Sequence, residues 1–302
     1  MLTEKFPATK ISQGQLASLV EQFDASMPRA SAATRHVYKK GLNQLLAFAK
    51  TYPFKFTPDD FSAFRLWLFN HGKLSRNTVN VYLTASRRFC EYLTELEILK
   101  KNPAWSVHGS AQEFKILKVK LTEVAAAISN IDRSSILGKR DFVFLSAILE
   151  SGASISELIK ANVGDLKKHG KYARLYVKKG FRPGDSEIIL FSSSVTAAMY
   201  NYLEARTATG TEGPLFTTVR GGKGSNVRLS LRGVRAAMQK HLKFGDSRRI
   251  RIDSLRTYCA VRLMSRGKSS DEVRSIMRFK SNMPFRKIIY NMPRGGVLSP
   301  DK

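Results

Sequence analysis

The spacing of apolar residues changes along this chain, and that change constrains the fold more than any other feature. Over residues 15–105 apolar side chains recur every three or four positions, and no segment alternates as a strand does. Thr57, followed by a proline and two acids, and Ser75 are typical residues for capping the start of a helix. The sequence therefore predicts a small helical bundle that ends near Pro103.

Residues 172–191 depart from helical spacing. Two short runs rich in strand-forming residues lie on either side of a Gly- and Pro-containing turn at 180–184, which predicts a β-hairpin. Further helices are predicted at 194–206, 229–243, 253–266 and 270–279. The predicted fold class is mainly α with a small β-hairpin or sheet (α+β), arranged as two domains.

The net charge of +27 indicates a polyanionic partner, because such an excess destabilises a compact chain unless an opposite charge neutralises it. The charge is uneven: residues 1–110 carry +7, residues 111–302 carry +20, and residues 220–302 alone carry +16. Arginine predominates over residues 228–256, and arginine binds phosphate through two parallel N–H donors. These features favour nucleic acid over a membrane surface as the partner.

Cysteine and histidine placement does not favour disulfide or metal chemistry. Cys90 and Cys259 are far apart on apolar helical faces and are predicted to be core residues. The five histidines show no paired ligand spacing, so no metal or cofactor is expected. The sequence has no signal-peptide pattern and no run of 18 apolar residues, which predicts a cytoplasmic, nucleoid-associated protein.

Three segments of the second half, Ser151–Leu158, Asp253–Arg256 and Arg286–Tyr290, resemble in order and spacing the active-site boxes of the tyrosine recombinase (phage integrase) family. Leu74–Asn80 and Lys101–Ala104 resemble segments of that family's core-binding domain. The resemblance implies a helical, SAM-like core-binding domain at 1–107, a linker at 108–118 and a catalytic-type domain at 119–302. It also implies that the two domains bind double-stranded DNA.

The resemblance further implies a chemistry in which a tyrosine attacks a phosphodiester and forms a 3′-phosphotyrosine. Positive donors stabilise the charge that collects on the phosphate oxygens, and an acid protonates the leaving 5′-oxygen. By similarity, Tyr290 corresponds to the nucleophile, Arg256 to the second arginine, and Lys179 to the lysine of the hairpin, with Lys178 as the neighbouring candidate.

Three other positions depart from the family pattern. Ser154 stands in place of the first arginine and, with Glu157, predicts a helix capping box. Asp253 stands in place of a histidine; ionised, it would repel a phosphate by about 1–4 kcal/mol at 4 Å, and it could instead cap a helix or pair with Arg256. Phe279 stands in place of His or Trp and cannot donate a hydrogen bond.

The resemblance also places a helix of the first domain in the DNA major groove. That helix carries arginine and asparagine, which are suited to guanine and adenine edges, although phosphate contact is favoured for Arg87 and Arg88. The predicted DNA-binding residues of both domains are Arg76, Asn77, Asn80, Arg87, Arg88, Lys178, Arg182, Lys223, Arg228, Arg232, Arg248, Arg249 and Arg251.

Three functions are compatible with these motifs. The favoured hypothesis is a sequence-specific DNA-binding relative of mobile-element recombinases whose own cleavage is lost or reduced, working beside an active recombinase or self-associating on DNA. The second is an active site-specific recombinase that uses Tyr290. The third is a regulator that reuses the fold without recombining DNA.

Overall fold

The computed structural model describes residues 11–28, 30–72, 74–111, 117, 119–178, 186–206, 212–220, 223–245, 248–279, 288 and 290. The chain divides into two compact units, Met1–Glu113 and Phe114–Lys302. Each unit has its own hydrophobic core. Within the described residues no helix is both long and apolar enough to cross a membrane, and no group of three His, Cys, Asp or Glu could hold a metal ion.

The described residues of the first unit form four helices, and serine caps begin three of them. The helices are α1 (Gln13–Ala25), α2 (Ala32–Thr51), α3 (Pro58–Gly72) and α4 (Arg76–Glu95). The hydroxyls of Ser12, Ser31 and Ser75 accept hydrogen bonds from backbone N–H groups in the first turns of α1, α2 and α4. Thr57 acts in the same way at the start of α3, where its hydroxyl accepts from the Asp60 N–H at 3.2 Å.

Aromatic residues dominate the core of this unit. The Phe89 ring of α4 meets the Phe23 ring of α1 edge to face, with 5.7 Å between centroids. Helices α2 and α4 approach closely at Gly41, where an added Cβ would lie 2.9 Å from the Tyr82 ring. Each fully buried phenylalanine contributes about 1.5–3 kcal/mol through burial.

Residues that follow the bundle are hydrogen-bonded back to α4. The Asn80 amide donates to the backbone oxygen of Ser110 at 2.8 Å and accepts from its N–H at 2.9 Å. Arg87 Nη2 donates to the backbone oxygen of Val107 at 2.9 Å. Part of the segment predicted as linker is therefore fixed to the first unit.

The second unit is built around one buried helix. Its helices are α5 (Leu121–Ser129), α6 (Ile136–Ser151), α7 (Ile155–Lys160), α8 (Ser193–Ala205), α9 (Leu231–Met238), α10 (Leu255–Ser265) and α11 (Ser270–Ile276). Helix α6 is buried on nearly all sides, and α5, α8 and α10 pack against it. Every residue from Val143 to Leu149, almost two helical turns, is buried, so this part of α6 has no exposed face.

Small antiparallel sheets complete the second unit. Strands β1 (Leu166–His169), β2 (Tyr172–Lys178) and β3 (Ser186–Phe191) form one sheet in that order. Two further ribbons pair β4 (Thr217–Arg220) with β5 (Lys223–Arg228), and β6 (Lys243–Phe244) with β7 (Arg248–Arg249). The predicted β2–β3 hairpin and the mainly helical α+β class are confirmed.

Three predicted helices are shorter than expected, and the one predicted at 270–279 ends at Ile276. The helix predicted at 229–243 is α9 followed by a 3-10 turn, Gln239–Leu242, and by β6. The helix predicted at 253–266 begins at Leu255, after a 3-10 turn at Ile252–Ser254. A hydrogen bond helps to position the first of these turns, because His241 Nε2 lies 3.1 Å from Asp141 Oδ2, and the other carboxylate oxygen of Asp141 binds Arg140 at 2.6 Å.

Candidate active site and nucleic-acid interface

Arg256 joins two segments that are far apart in sequence. Its Nε donates to the backbone oxygen of Gly152, at the end of α6, at 2.9 Å. Its Nη2 donates to the backbone oxygen of Met277, directly after α11. Gly152 of the first box, Arg256 of the second box and Met277, the residue that follows α11, therefore meet at one guanidinium.

Gly152 makes this meeting possible. Its φ is +64°, the left-handed conformation that ends many helices and that glycine adopts without penalty. An added Cβ would also overlap the thioether of Met277. The glycine therefore allows α6 to end directly against the residue that follows α11.

Ser154 begins α7 through the capping box that the sequence predicted. Its hydroxyl accepts from the Glu157 N–H at 3.1 Å, and its own N–H donates to the Glu157 carboxylate at 2.6 Å. The side chain at the position where the family resemblance predicts an arginine is thus used to cap a helix.

Arg278 lies beside Arg256, and the sequence analysis did not identify it. Its Nε donates to Glu157 Oε1 at 2.9 Å, and its Nη2 donates to Glu157 Oε2 at 3.2 Å and to the backbone oxygen of Gly152 at 3.1 Å. Only 6% of its side chain is exposed. No local pattern signals this role, because it depends on a φ of +54° and on residues more than a hundred positions away.

The charges of this cluster affect one another. Burial alone would raise the pKa of Glu157, but the hydrogen bond and charge of Arg278, with the Ser154 cap, hold that pKa below its ordinary value. Burial lowers the pKa of Arg256; Glu157 opposes this shift and the charge of Arg278 adds to it. We define Arg256, Arg278 and Glu157 as the guanidinium cluster.

Phe279 packs on the guanidinium cluster. The Arg256 guanidinium carbon lies 4.9 Å from the centroid of its ring, within cation–π distance. The ring stabilises the arginine but offers no polar hydrogen to a ligand.

Asp253 has partners that the sequence did not predict. It lies in the 3-10 turn before α10, and its carboxylate is 3.4 Å from both Arg235 Nη2 and Arg251 Nη2. The predicted helix cap and the predicted pair with Arg256 are both wrong, because Arg256 points instead to Gly152 and Met277. With 45% of its side chain exposed, Asp253 forms weak surface pairs.

Tyr290 is helical and half-exposed, with 51% of the residue accessible. Two positions earlier, Ile288 is buried in a core cluster that includes Met277 and Cys259. Tyr290 itself is not a core residue, because half of its surface is accessible. Its assignment as the nucleophile stays a prediction.

The hairpin lysines are only partly covered by the structure. Lys178 is the last residue of β2 and pairs in register with Ser186. Lys179 and Arg182 lie outside the described residues. The general-acid assignment therefore stays a prediction.

On α4 the predicted DNA-binding residues fall into two groups. Arg76 and Asn77 are exposed in the first turn, and Arg88 is exposed and paired with Glu91 at 2.7 Å. Asn80 and Arg87 instead hold the segment after the bundle through the hydrogen bonds to Ser110 and Val107 described above. The exposed first turn of α4 is therefore the part of this helix best placed for a ligand.

The predicted DNA-binding residues of the second unit also fall into exposed residues and residues that bind within the chain. Arg232, Arg249 and Arg251 are exposed, and Arg248 pairs with Glu123 at 3.0 Å. Arg228 is used within the chain: its Nη1 donates to the backbone oxygens of Ile159 at 2.6 Å and Ala161 at 2.8 Å. Lys223, the first residue of β5, begins the strand that Arg228 ends.

Comparison with known sequences identifies similar proteins. Residues 19–99 match the model described as the phage integrase N-terminal SAM-like domain, and residues 119–287 match the model described as the phage integrase family. A tyrosine recombinase XerC of Pelotomaculum thermopropionicum is 29% identical over 229 residues, which is 72% of each chain. A tyrosine recombinase XerD of Listeria innocua is 26% identical over 181 residues, covering 58% of this chain and 59% of the relative.

Solved structures show the same fold. The XerH site-specific recombinase bound to a palindromic difH substrate superposes with a TM-score of 0.68 at 15% identity, covering 92% of this chain and 81% of that one. The Tn1549 transposon integrase in complex with transposon right end DNA gives 0.67 at 13% identity, covering 90% and 94%. At such identities the likeness establishes the architecture alone.

Proposed function

This chain belongs to the phage integrase family of tyrosine recombinases, and from that premise we propose that it acts in site-specific DNA recombination as a sequence-specific DNA-binding protein with impaired strand cleavage. The observation that carries the proposal is the meeting of three separate segments at the Arg256 guanidinium. A partly buried cation in that position suits the backbone phosphate of a duplex.

The distribution of charge supports DNA as the ligand. The exposed arginines Arg232, Arg249 and Arg251 give the second unit several phosphate-binding side chains, and Arg76 and Asn77 give α4 side chains suited to base edges. Both solved neighbours described above are complexes with DNA. Phosphate contacts would supply affinity, and the first turn of α4 would supply part of the sequence preference.

The side chains at the three positions that depart from the family pattern support impaired cleavage. Ser154 is used in the α7 cap, Asp253 is an acceptor held by two arginines, and Phe279 has no polar hydrogen. Loss of one preorganised donor slows such reactions by about 10²–10³, and losses within one site do not simply multiply. A pocket of this kind would bind a phosphodiester better than it would break one.

An accessory role follows from binding without efficient cleavage. We place the protein on the DNA of a mobile element in the cytoplasm, in contact with the nucleoid, where an active recombinase or further copies of this chain would assemble beside it. The second candidate is an active recombinase, and the half-exposed Tyr290 next to the buried Ile288 favours it. In that case the Tyr290 oxygen would attack phosphorus, and the 5′-oxygen would leave with a proton from Lys179.

The binding part of this proposal is tested by selecting bound duplexes from a random library and then titrating salt. We expect one preferred sequence, with an affinity that falls steeply as salt rises because several phosphates are contacted. A scrambled duplex is the matched control for specificity. Equal affinity for the two duplexes, or an affinity that salt does not change, would contradict the proposal.

A further inference from the structure

Arg278 has a backbone conformation that is uncommon for a residue with a side chain. Its φ of +54° lies in the left-handed region, which Cβ-bearing residues other than Asn and Asp rarely occupy. Such strain persists where the surrounding structure fixes the residue, and it is often found at functional sites. The contacts of its side chain indicate what fixes it.

Arg278 and Arg256 converge on one oxygen atom. Arg278 Nη2 and Arg256 Nε both donate to the backbone oxygen of Gly152, at 3.1 and 2.9 Å. The two guanidiniums are therefore within two hydrogen-bond lengths of each other. Two arginines held so close repel each other, and an anion between or above them would relieve that repulsion.

The charge balance of the guanidinium cluster depends on Arg278. Arg256 and Glu157 alone would cancel, and the pocket would offer no net charge to an anion. With Arg278 the cluster has two positive charges and one negative charge, in surroundings where burial limits screening by water. A phosphodiester, which carries one negative charge, would bring the whole group to neutrality.

We propose that Arg278 provides the second guanidinium of a phosphodiester-binding pocket and thereby restores the positive charge that Ser154 does not supply. This inference rests on the proposed function, because the ligand is a DNA backbone phosphate. Arg278 binds from the end of α11, whereas an arginine at position 154 would bind from the start of α7. The positive charge is kept while its position in the sequence has moved.

A purely structural role for Arg278 predicts different behaviour. If Arg278 only tied α7 to α11, removing the Glu157 charge would weaken both the fold and DNA binding. If the pocket binds phosphate, Glu157→Gln removes a competing negative charge and strengthens binding. Glutamine keeps an oxygen that can accept from the Ser154 N–H, so the α7 cap is preserved.

The test compares the wild-type chain with Arg278→Gly, Arg278→Lys and Glu157→Gln on a duplex selected by the wild type. Glycine suits the left-handed backbone, so Arg278→Gly removes the charge without adding strain. Arg274→Ala is the matched control, because it removes one positive charge from α11 at an exposed position. Melting temperatures check that each variant is folded.

We expect Arg278→Gly to bind at least about tenfold more weakly and to reduce the salt slope by about one. Arg278→Lys keeps the positive charge, so its affinity for the duplex should fall less than that of Arg278→Gly. Glu157→Gln should bind more tightly than the wild type. In a further experiment, single phosphates of the duplex are replaced in turn by neutral methylphosphonates. Replacement of one particular phosphate should no longer change the affinity of Arg278→Gly or of Arg256→Ala, whereas it should still change the affinity of Arg274→Ala.

Two negative results would overturn different parts of the account. If the wild type binds no duplex selectively, the proposed function is overturned together with its pocket. If the wild type binds but Arg278→Gly has the same affinity and salt slope, only the role of Arg278 is overturned. Weaker binding by Glu157→Gln, or an Arg278→Gly loss spread evenly over all phosphates, would likewise assign Arg278 a structural role alone.

Discussion

Arg278 Nε lies 2.9 Å from Glu157 Oε1, and this ion pair joins the second residue after α11 to the first turn of α7. The same carboxylate accepts from the Ser154 N–H, so one side chain completes a helix cap and an ion pair. Arg256 shares the Gly152 oxygen with Arg278. Ser151–Leu158, Asp253–Arg256 and the residues that follow α11 are therefore held together by contacts within the chain.

The Glu157 ion pair predicts a loss of stability in acid. The pKa of Glu157 is lower in the folded protein than its ordinary value of 4.5, so the unfolded chain binds more protons between those two values. Its contribution is complete above pH 4.5 and is lost as pH falls through the folded pKa. We expect the difference in melting temperature between wild type and Glu157→Gln to be constant above about pH 5.5 and to shrink below 4.5. A difference that does not change down to pH 3 would contradict the ion pair.

Gly152→Ala should destabilise the second unit strongly. Alanine at φ +64° costs about 1–2 kcal/mol, and the overlap of its Cβ with Met277 adds about 1–3 kcal/mol. Gly170→Ala is the matched control, because Gly170 has a φ of +60° and no atom of the described residues lies within 4 Å of an added Cβ. Chemical denaturation of both variants measures the difference. Equal losses would mean that α6 does not end against Met277.

Substitutions at Arg228 and Arg232 should affect different properties: the first should lower stability and the second should weaken DNA binding. Arg228→Ala removes the donor to the backbone oxygens of Ile159 and Ala161 and should cost about 1–3 kcal/mol in unfolding free energy. Arg232→Ala, at an exposed position of α9, should leave the melting temperature unchanged and weaken DNA binding. Thermal melts and salt-dependent binding measure both quantities. The reverse pattern would contradict these assignments.

Much of the fold could be predicted from local signals. Serine and threonine caps predicted the starts of α3 and α4, and two runs of strand-forming residues on either side of a Gly- and Pro-containing turn predicted the hairpin. Strand β1 could not be predicted, because Leu-Lys-Lys-His is short and does not alternate. Its pairing with β2 depends on the tertiary structure and cannot be recognised from the local sequence.

The site was harder to predict than the fold, for physical reasons. The Ser154 capping box is a local motif and was predicted, whereas Asp253 pairs with Arg235, which is 18 positions away. Asn80 has the side chain of a base reader, but it holds Ser110 instead. The type of a side chain determines which hydrogen bonds it can make, but only the tertiary structure shows which of them it makes within the protein.

Restoring single residues should show which missing group limits cleavage. If Arg278 already supplies positive charge, then Ser154→Arg should add little, and it would also break the α7 cap. Asp253→His exchanges an acceptor for a donor and should raise the rate of strand cleavage by about 10². Single-turnover cleavage of the selected duplex compares the two variants. A larger gain from Ser154→Arg would show that charge, not hydrogen-bond donors, is missing.

The most direct measurement is covalent adduct formation on a nicked suicide duplex that carries the selected site, followed on a denaturing gel. If the guanidinium cluster binds a phosphodiester but the donors at Asp253 and Phe279 are lost, the wild type should bind this duplex and form little or no adduct. An adduct that forms readily in the wild type and disappears in Tyr290→Phe would contradict the account and identify the protein as an active recombinase.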